Sequence, residues 1–413
     1  MDKRRPLPRL IACFSAGALY GWSALTAPLQ SAFDVSVAQA GLVFSLALMS
    51  FTGAVLLSPL LTGRIGQVRS LALAALLAGG LTAGAAFAPT FALFAGLFGL
   101  GFGATSGLIY ATALSLAAGG PSARWATPLS VATFGLGGVV FGPLWKSLVA
   151  ADWGLLALLP LSLLLVLASG LVMLSQTSAQ ASAQTTDRTK VQTTAQTSAP
   201  PEARQSEQAV RVMGPGLMVL IWLIFAASAF AGLMVLGLAA KIMDVSQSSL
   251  GLTSAILAGI AAANTLGRLS AALFGDRRRR VVRGLLLSCA LTFAGLATAA
   301  LSSGGPSGSL MLGLGLVLIA GGYGLTASSI PLLTAHHSEA GSFQRQFGLI
   351  FTAWGVAGFV APWLTGRLFD LRGDFLLAFA VAAVTTLLSA GLILLFRRRL
   401  SSDNSSNSGG SSS

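Results

Sequence analysis

Apolar stretches long enough to cross a bilayer recur along this chain, and they limit its fold more than any other feature. A hydrocarbon core of about 30 Å takes about 20 residues of helix. Runs of that order, bounded by charges, proline or glycine clusters, fall near 10-32, 41-62, 70-88, 91-118, 126-149, 154-174, 216-242, 250-275, 283-302, 308-334, 346-368 and 375-396. In lipid the backbone amides must be satisfied within the segment, so each run reads as a helix. The fold class is an all-α membrane protein with twelve transmembrane helices. A hydrophobic content of 54% with only 9% charged residues excludes an ordinary soluble globule, in which about a quarter of residues are charged. The first run follows Lys3, Arg4, Arg5 and Arg9 as a signal peptide would, but it is longer than an h-region and the second run follows at once. It reads as retained.

The formal charge of +13 would suggest nucleic acid in a soluble protein, but here the cations sort by side. Gaps on the side of the termini carry Arg64, Arg69, Arg124, Arg188, Lys190, Arg204, Arg211, Arg277 to Arg280, Arg283, Arg345 and Arg397 to Arg399. The opposite gaps carry only Lys146, Lys241, Arg367 and Arg372. The positive-inside bias therefore places both termini in the cytoplasm of a multi-pass protein of the cell's inner (plasma) membrane, and no nucleic-acid partner is needed. Residues 175-212, rich in Gln, Thr, Ser and Ala, are too polar to bury a core. They read as a cytoplasmic linker between a six-helix half, 1-174, and a second, 213-399, with 400-413 a disordered tail. The lone cysteines Cys13 and Cys289 lie in apolar runs and make neither a disulfide framework nor a metal site.

The halves echo one another. Asp34-Val35-Ser36 after the first run answers Asp244-Val245-Ser246 after the seventh, and Gly101-Phe102-Gly103-Ala104-Thr105 answers Gly322-Tyr323-Gly324-Leu325-Thr326. Two pseudo-symmetric six-helix halves joined by a polar linker are the layout of carriers that bind substrate between repeats. The chain resembles the major facilitator superfamily over essentially its whole length. Gly63-Arg64-Ile65-Gly66-Gln67-Val68-Arg69 is similar to the superfamily's loop motif, with Gly63 where that motif has Asp, and Asp276-Arg277 keeps the Asp-Arg pair in the second half. A narrower resemblance rests on Gly17, Tyr20, Trp22, Ser23, Pro28 and Leu29 in the first run and on Asn264, Gly267 and Arg268 in the eighth. These are similar to the branch of monocarboxylate transporters and oxalate:formate antiporters.

All twelve carboxylates fall in predicted tails, loops or run boundaries, whereas Arg268 falls inside a run. An unpaired intramembrane cation lines water and awaits an anion, or it snorkels toward the boundary near Asp276; both readings are open. Asn264, one turn away, shares its face and either orients the guanidinium or joins two helices. The three tyrosines, Tyr20, Tyr110 and Tyr323, fall in runs one, four and ten, which the resemblance implies line a central cavity. Each is a ligand donor or a core residue. Leu19 and Trp354 are candidates for the apolar wall. No triad, metal spacing or phosphate loop is present, which argues against an enzyme, and no cofactor is expected. The expected function is proton-coupled transport of small monocarboxylates, lactate- or pyruvate-like, by alternating access. An organic-anion antiporter or a drug exporter is the alternative, and a non-transporting receptor is opposed by the repeat and by Arg268.

Overall fold

The computed structural model describes residues 6–35, 37–119, 123–175, 213–275, 277–302, 305–339 and 342–408. The linker beyond Ser175, Asp276 and the last five residues lie outside the described residues. The first half begins with α1, built from Pro6–Ala16, a 3-10 stretch Gly17–Leu25 and Thr26–Phe33. It continues with α2 (Val37–Ile65) and α3 (Gln67–Ala86). Next comes α4, in which Phe91–Phe94 and Gly103–Ala118 flank a π-helical segment Ala95–Phe102. Helices α5 (Ala123–Ala150) and α6 (Gly154–Ser175) close this half. The second half contains α7 (Pro215–Val245), α8 (Leu250–Ser270), α9 (Arg278–Ala300), α10 (Pro306–His337), α11 (Phe343–Arg372) and α12 (Leu376–Ser408). Among the described residues, eleven helices are individually long and apolar enough to cross a membrane. The twelfth is α1, which its 3-10 stretch divides.

These helices occupy the twelve apolar runs. The last one continues to Ser408, past residue 399 where the apolar pattern and the expected tail divide. Two irregularities lie in the first half, and neither has a hydropathy signature. A nine-residue 3-10 stretch in α1 is long for that geometry, and a π-helical segment in α4 is rare. Both kinds of distortion concentrate where a chain must place side chains off the regular helical register.

The internal repeat is a repeat of packing. Gly103 of α4 lies against Ala47 and Ser50 of α2, so that a Cβ there would collide with the α2 backbone. Its counterpart Gly324 of α10 lies in the same way against the Asn264 carbonyl of α8. Gly101 faces Leu81 of α3, and Gly322 faces Ser288 and Thr292 of α9. Helices four and ten thus sit on helices two and eight through one face and on three and nine through another, as a two-fold repeat requires. The Asp-Val-Ser echo does not extend to local backbone: Asp34 itself adopts the left-handed region at φ 50°, whereas in the second half Gln247 does so at φ 54°.

The halves meet along α2–α11 and α5–α8. On the side of the termini, the Thr62 hydroxyl donates to Gln344 Oε1 at 2.9 Å and Gln344 Nε2 donates to Ser58 Oγ at 2.9 Å. All three side chains are buried, so α2 and α11 are joined by a neutral amide–hydroxyl latch. Substitution of Gly324 by Ala should cost about 1–3 kcal/mol through overpacking against α8. Gly80→Ala, whose Cβ meets nothing within 4 Å, should leave thermal unfolding of the detergent-solubilised protein unchanged.

Candidate substrate site

Arg268 enters the α5–α8 seam from α8 and is 2% exposed. Its Nε donates to Asn264 Oδ1 at 3.1 Å, and its Nη1 crosses to the first half and donates to the Val131 carbonyl of α5 at 3.1 Å. The crossing depends on Gly135 one turn along α5, where a Cβ would lie 3.3 Å from Arg268 Cδ and Nε. Nη2 is buried and has no hydrogen-bond partner. Among the described residues no carboxylate is in ion-pair contact with Arg268. The guanidinium carbon instead stands 5.9 Å from the ring centres of both Tyr20 and Tyr323, whose π faces partly offset the missing counter-charge. From the last turn of α8 the side chain is therefore held in the seam by defined partners, and the boundary-directed snorkelling reading is not the one adopted.

Around it the aromatic residues of both halves converge. Tyr20, Phe51, Tyr110, Phe134, Phe225, Arg268, Tyr323, Ala327, Phe351 and Trp354 enclose a chamber of about 10 Å³, close to the space of one water. Trp354 Nε1 donates to the Tyr323 hydroxyl at 2.7 Å, and Tyr110 packs on Phe134 with ring centres 5.0 Å apart. A larger cavity of about 250 Å³ adjoins it on the side opposite the termini, between α1, α2, α5, α7, α8 and α11. Its polar side chains are Tyr20, Asn264 and Trp354; Phe44, Leu48, Val139, Leu233, Leu257 and Ile260 are among its apolar walls. Tyr20 and Trp354 line both spaces and divide them.

Six of the seven residues singled out from sequence thus meet here: Arg268, Asn264, Tyr110, Tyr323, Tyr20 and Trp354. Leu19 does not. It is 1% exposed, buried in the core, and lines neither space, because the 3-10 turn of α1 directs its neighbour Tyr20 toward the site. Sequence reasoning missed Val131, Gly135 and the phenylalanines Phe51, Phe134, Phe225 and Phe351. A carbonyl acceptor and a missing Cβ have no one-dimensional signal, and the phenylalanines are a few among 23. The two histidines serve the end of α10 on the terminus side. His336 Nε2 contacts the Gly275 carbonyl at 3.1 Å, and His337 Nδ1 donates to the Leu333 carbonyl at 2.9 Å, which leaves its Nε2 to accept from Arg278 at 3.4 Å.

A model of the Major Facilitator Superfamily matches residues 9–362. The chain belongs to the major facilitator superfamily. No curated protein matches it by sequence. Among solved structures it is similar to the proton:xylose symporter XylE bound to 6-bromo-6-deoxy-D-glucose, with 14% identity, a TM-score of 0.67 and 96% of each chain covered. It is also similar to FucP in the outward conformation (15% identity, TM-score 0.64, 94% of this chain and 98% of that one). A third similar structure is the human organic anion transporter MFSD10 (15% identity, TM-score 0.66, 95% and 100%). At these identities the likeness carries the fold. Membership of the superfamily makes the chain a transporter of small molecules across a membrane and not an enzyme.

Gly135→Val should push the guanidinium off α5 and destabilise the protein by about 1–3 kcal/mol. In an Arg268→Ala background the same substitution should cost less. A double-mutant cycle read by thermal unfolding checks this, since only coupled neighbours depart from additivity.

Proposed function

We propose that this superfamily member carries small monocarboxylates, of the lactate and pyruvate class, together with protons, by alternating access. The observation that supports this reading best is Arg268 Nη2, a buried cationic donor with no protein partner beside a cavity. A carboxylate completes its charge and its hydrogen bonding at once. The small chamber holds less than a carboxylate, so binding requires Tyr20 and Trp354 to part, and the anion's arrival is thereby linked to a change of shape. Tyr110 and Tyr323 line the same chamber as Arg268, and Asn264 lines the adjoining cavity, so these three are the candidates to complete the shell. One intramembrane cation matches one negative charge, and the sequence motifs around Tyr20 and Arg268 point the same way.

The proton has no acidic side chain in the span interiors to ride on, so it travels on the substrate carboxyl or through cavity hydroxyls and water. The cation asymmetry puts the termini, and the latched side of the seam, in the cytoplasm. A polyol fits poorly, because the cavity offers polar atoms only from Tyr20, Asn264 and Trp354, and unpaired hydroxyls are costly to bury. A second reading, exchange or export of larger organic anions, is favoured by the volume of about 250 Å³ and its apolar walls.

Arg268→Ala should abolish carboxylate uptake in proteoliposomes while the protein remains folded, and Arg268→Lys should restore little because the planar fork is lost. Tyr110→Phe and Asn264→Ala should each weaken binding by about 1–3 kcal/mol. Uptake should rise on external acidification and collapse with a protonophore. Uptake that ignores the proton gradient but requires a counter-anion inside the vesicle replaces symport with exchange, and near-normal uptake by Arg268→Ala removes the assignment altogether.

A further inference from the structure

A second, lateral space lies between α2 and α11 where the two halves meet. It has a volume of about 440 Å³ and is lined by Ser45, Leu48, Met49, Thr52, Thr352, Gly355, Val356, Gly358, Phe359 and Val360. These positions fall near the middle of both helices, at the depth of the hydrocarbon core. Met49, Val356 and Phe359 are 63%, 48% and 62% exposed, so the groove opens on the face that lipid covers. Its threonines have already committed their protons: Thr52 donates to Leu48 O at 2.9 Å, and Thr352 donates to Leu349 O at 2.7 Å while accepting from Trp222 at 2.8 Å, which leaves Ser45 as the other hydroxyl of the lining. Leu48 and Gly358 line both the groove and the central cavity and form the partition between them. Gly358 keeps that partition thin, since a Cβ there would have only Leu233 near it, at 3.9 Å.

We infer that the carrier's monocarboxylates extend to amphipathic ones, whose alkyl tail runs from the central cavity past Leu48 and Gly358 into the α2–α11 groove, with lactate and pyruvate as the shortest guests of the same head-group site. This rests on Arg268 as partner of the head group. The head and tail sites divide the labour: a desolvated cationic donor at one end, and at the other a largely apolar trough whose threonine protons are held by the backbone. Lactate and pyruvate fill only the first. Each methylene placed in the groove should tighten binding about three- to fourfold, the worth of removing it from water.

The test uses the full-length protein in nanodiscs with propionate, octanoate and photoactivatable diazirine analogues of octanoate and octanol. Octanoate should bind at least tenfold more tightly than propionate, and its diazirine analogue should label the segments 45-52 and 352-360. Ser45→Phe and Val356→Phe fill the groove without touching the central cavity. Each should weaken octanoate at least tenfold and leave propionate within twofold; Val356→Phe, on the lipid-facing edge, serves if the other variant folds poorly. Equal affinities for the two acids, or octanoate binding indifferent to both substitutions, overturns the inference. So does labelling of the groove by a phospholipid acyl probe that octanoate does not displace. Arg268→Ala separates the two readings. Loss of both acids with octanol still labelling the groove supports both, whereas octanoate labelling that survives Arg268→Ala keeps the tail site and removes the anion partner.

Discussion

A guanidinium buried in the seam between the halves, with no counter-ion among the described residues, is the constraint around which the rest of this molecule is arranged. Insertion scales put a central arginine at about 2.5–3.5 kcal/mol, a cost that has to be offset locally. The offset comes from four sources on four helices: the Asn264 amide on α8, the Val131 carbonyl on α5, and the faces of Tyr20 and Tyr323 on α1 and α10. Gly135 is bare so that the long side chain can lie along α5. None of these partners carries a formal negative charge, and each leaves Nη2 alone. The protein solvates its cation just enough to fold and keeps the strongest contact vacant.

Within each half, helix contacts run through glycine faces where backbones nearly touch, as at Gly103 on α2 and Gly324 on α8. Such contacts do not deform gradually, since interiors this close-packed transmit displacement rather than absorb it. Between halves, the described residues are tied by side-chain donors: Arg268 to the Val131 carbonyl on one seam, Gln344 with Ser58 and Thr62 on the other. Rotamer changes suffice to release these. Stiff halves with a releasable seam are what rigid-body rocking around a central site requires.

Much of this was legible in sequence for one reason, that lipid enforces helix and the helix has a fixed length. The twelve spans followed from hydropathy, and Asn264 followed Arg268 onto one face because four residues make a turn. The tyrosines were found through scarcity. What stayed hidden were features of three-dimensional approach: the 3-10 stretch that points Tyr20 inward and leaves Leu19 in the core, the π-helical turn in α4, and the acceptance of a hydrogen bond by Val131 from 137 residues away. Phe51 and Phe351 read as any lipid-facing phenylalanine would, yet their rings meet 5.8 Å apart at the seam. Side-chain periodicity names a face but not its neighbour in the other half.

The latch of Gln344 with Ser58 and Thr62 is electrically silent. Ionic gates loosen as dissolved ions screen them, and they register the voltage across the bilayer as they part. An amide and two hydroxyls do neither. This tie between the halves is therefore buffered against ionic strength and electrical potential. Among the described residues Arg268 is the charged side chain that is fully buried, and it senses the field from within. A guest of zero net charge, such as a monoanion with its proton, would leave that charge as it is, so an electrical potential would act on the empty and the loaded forms alike.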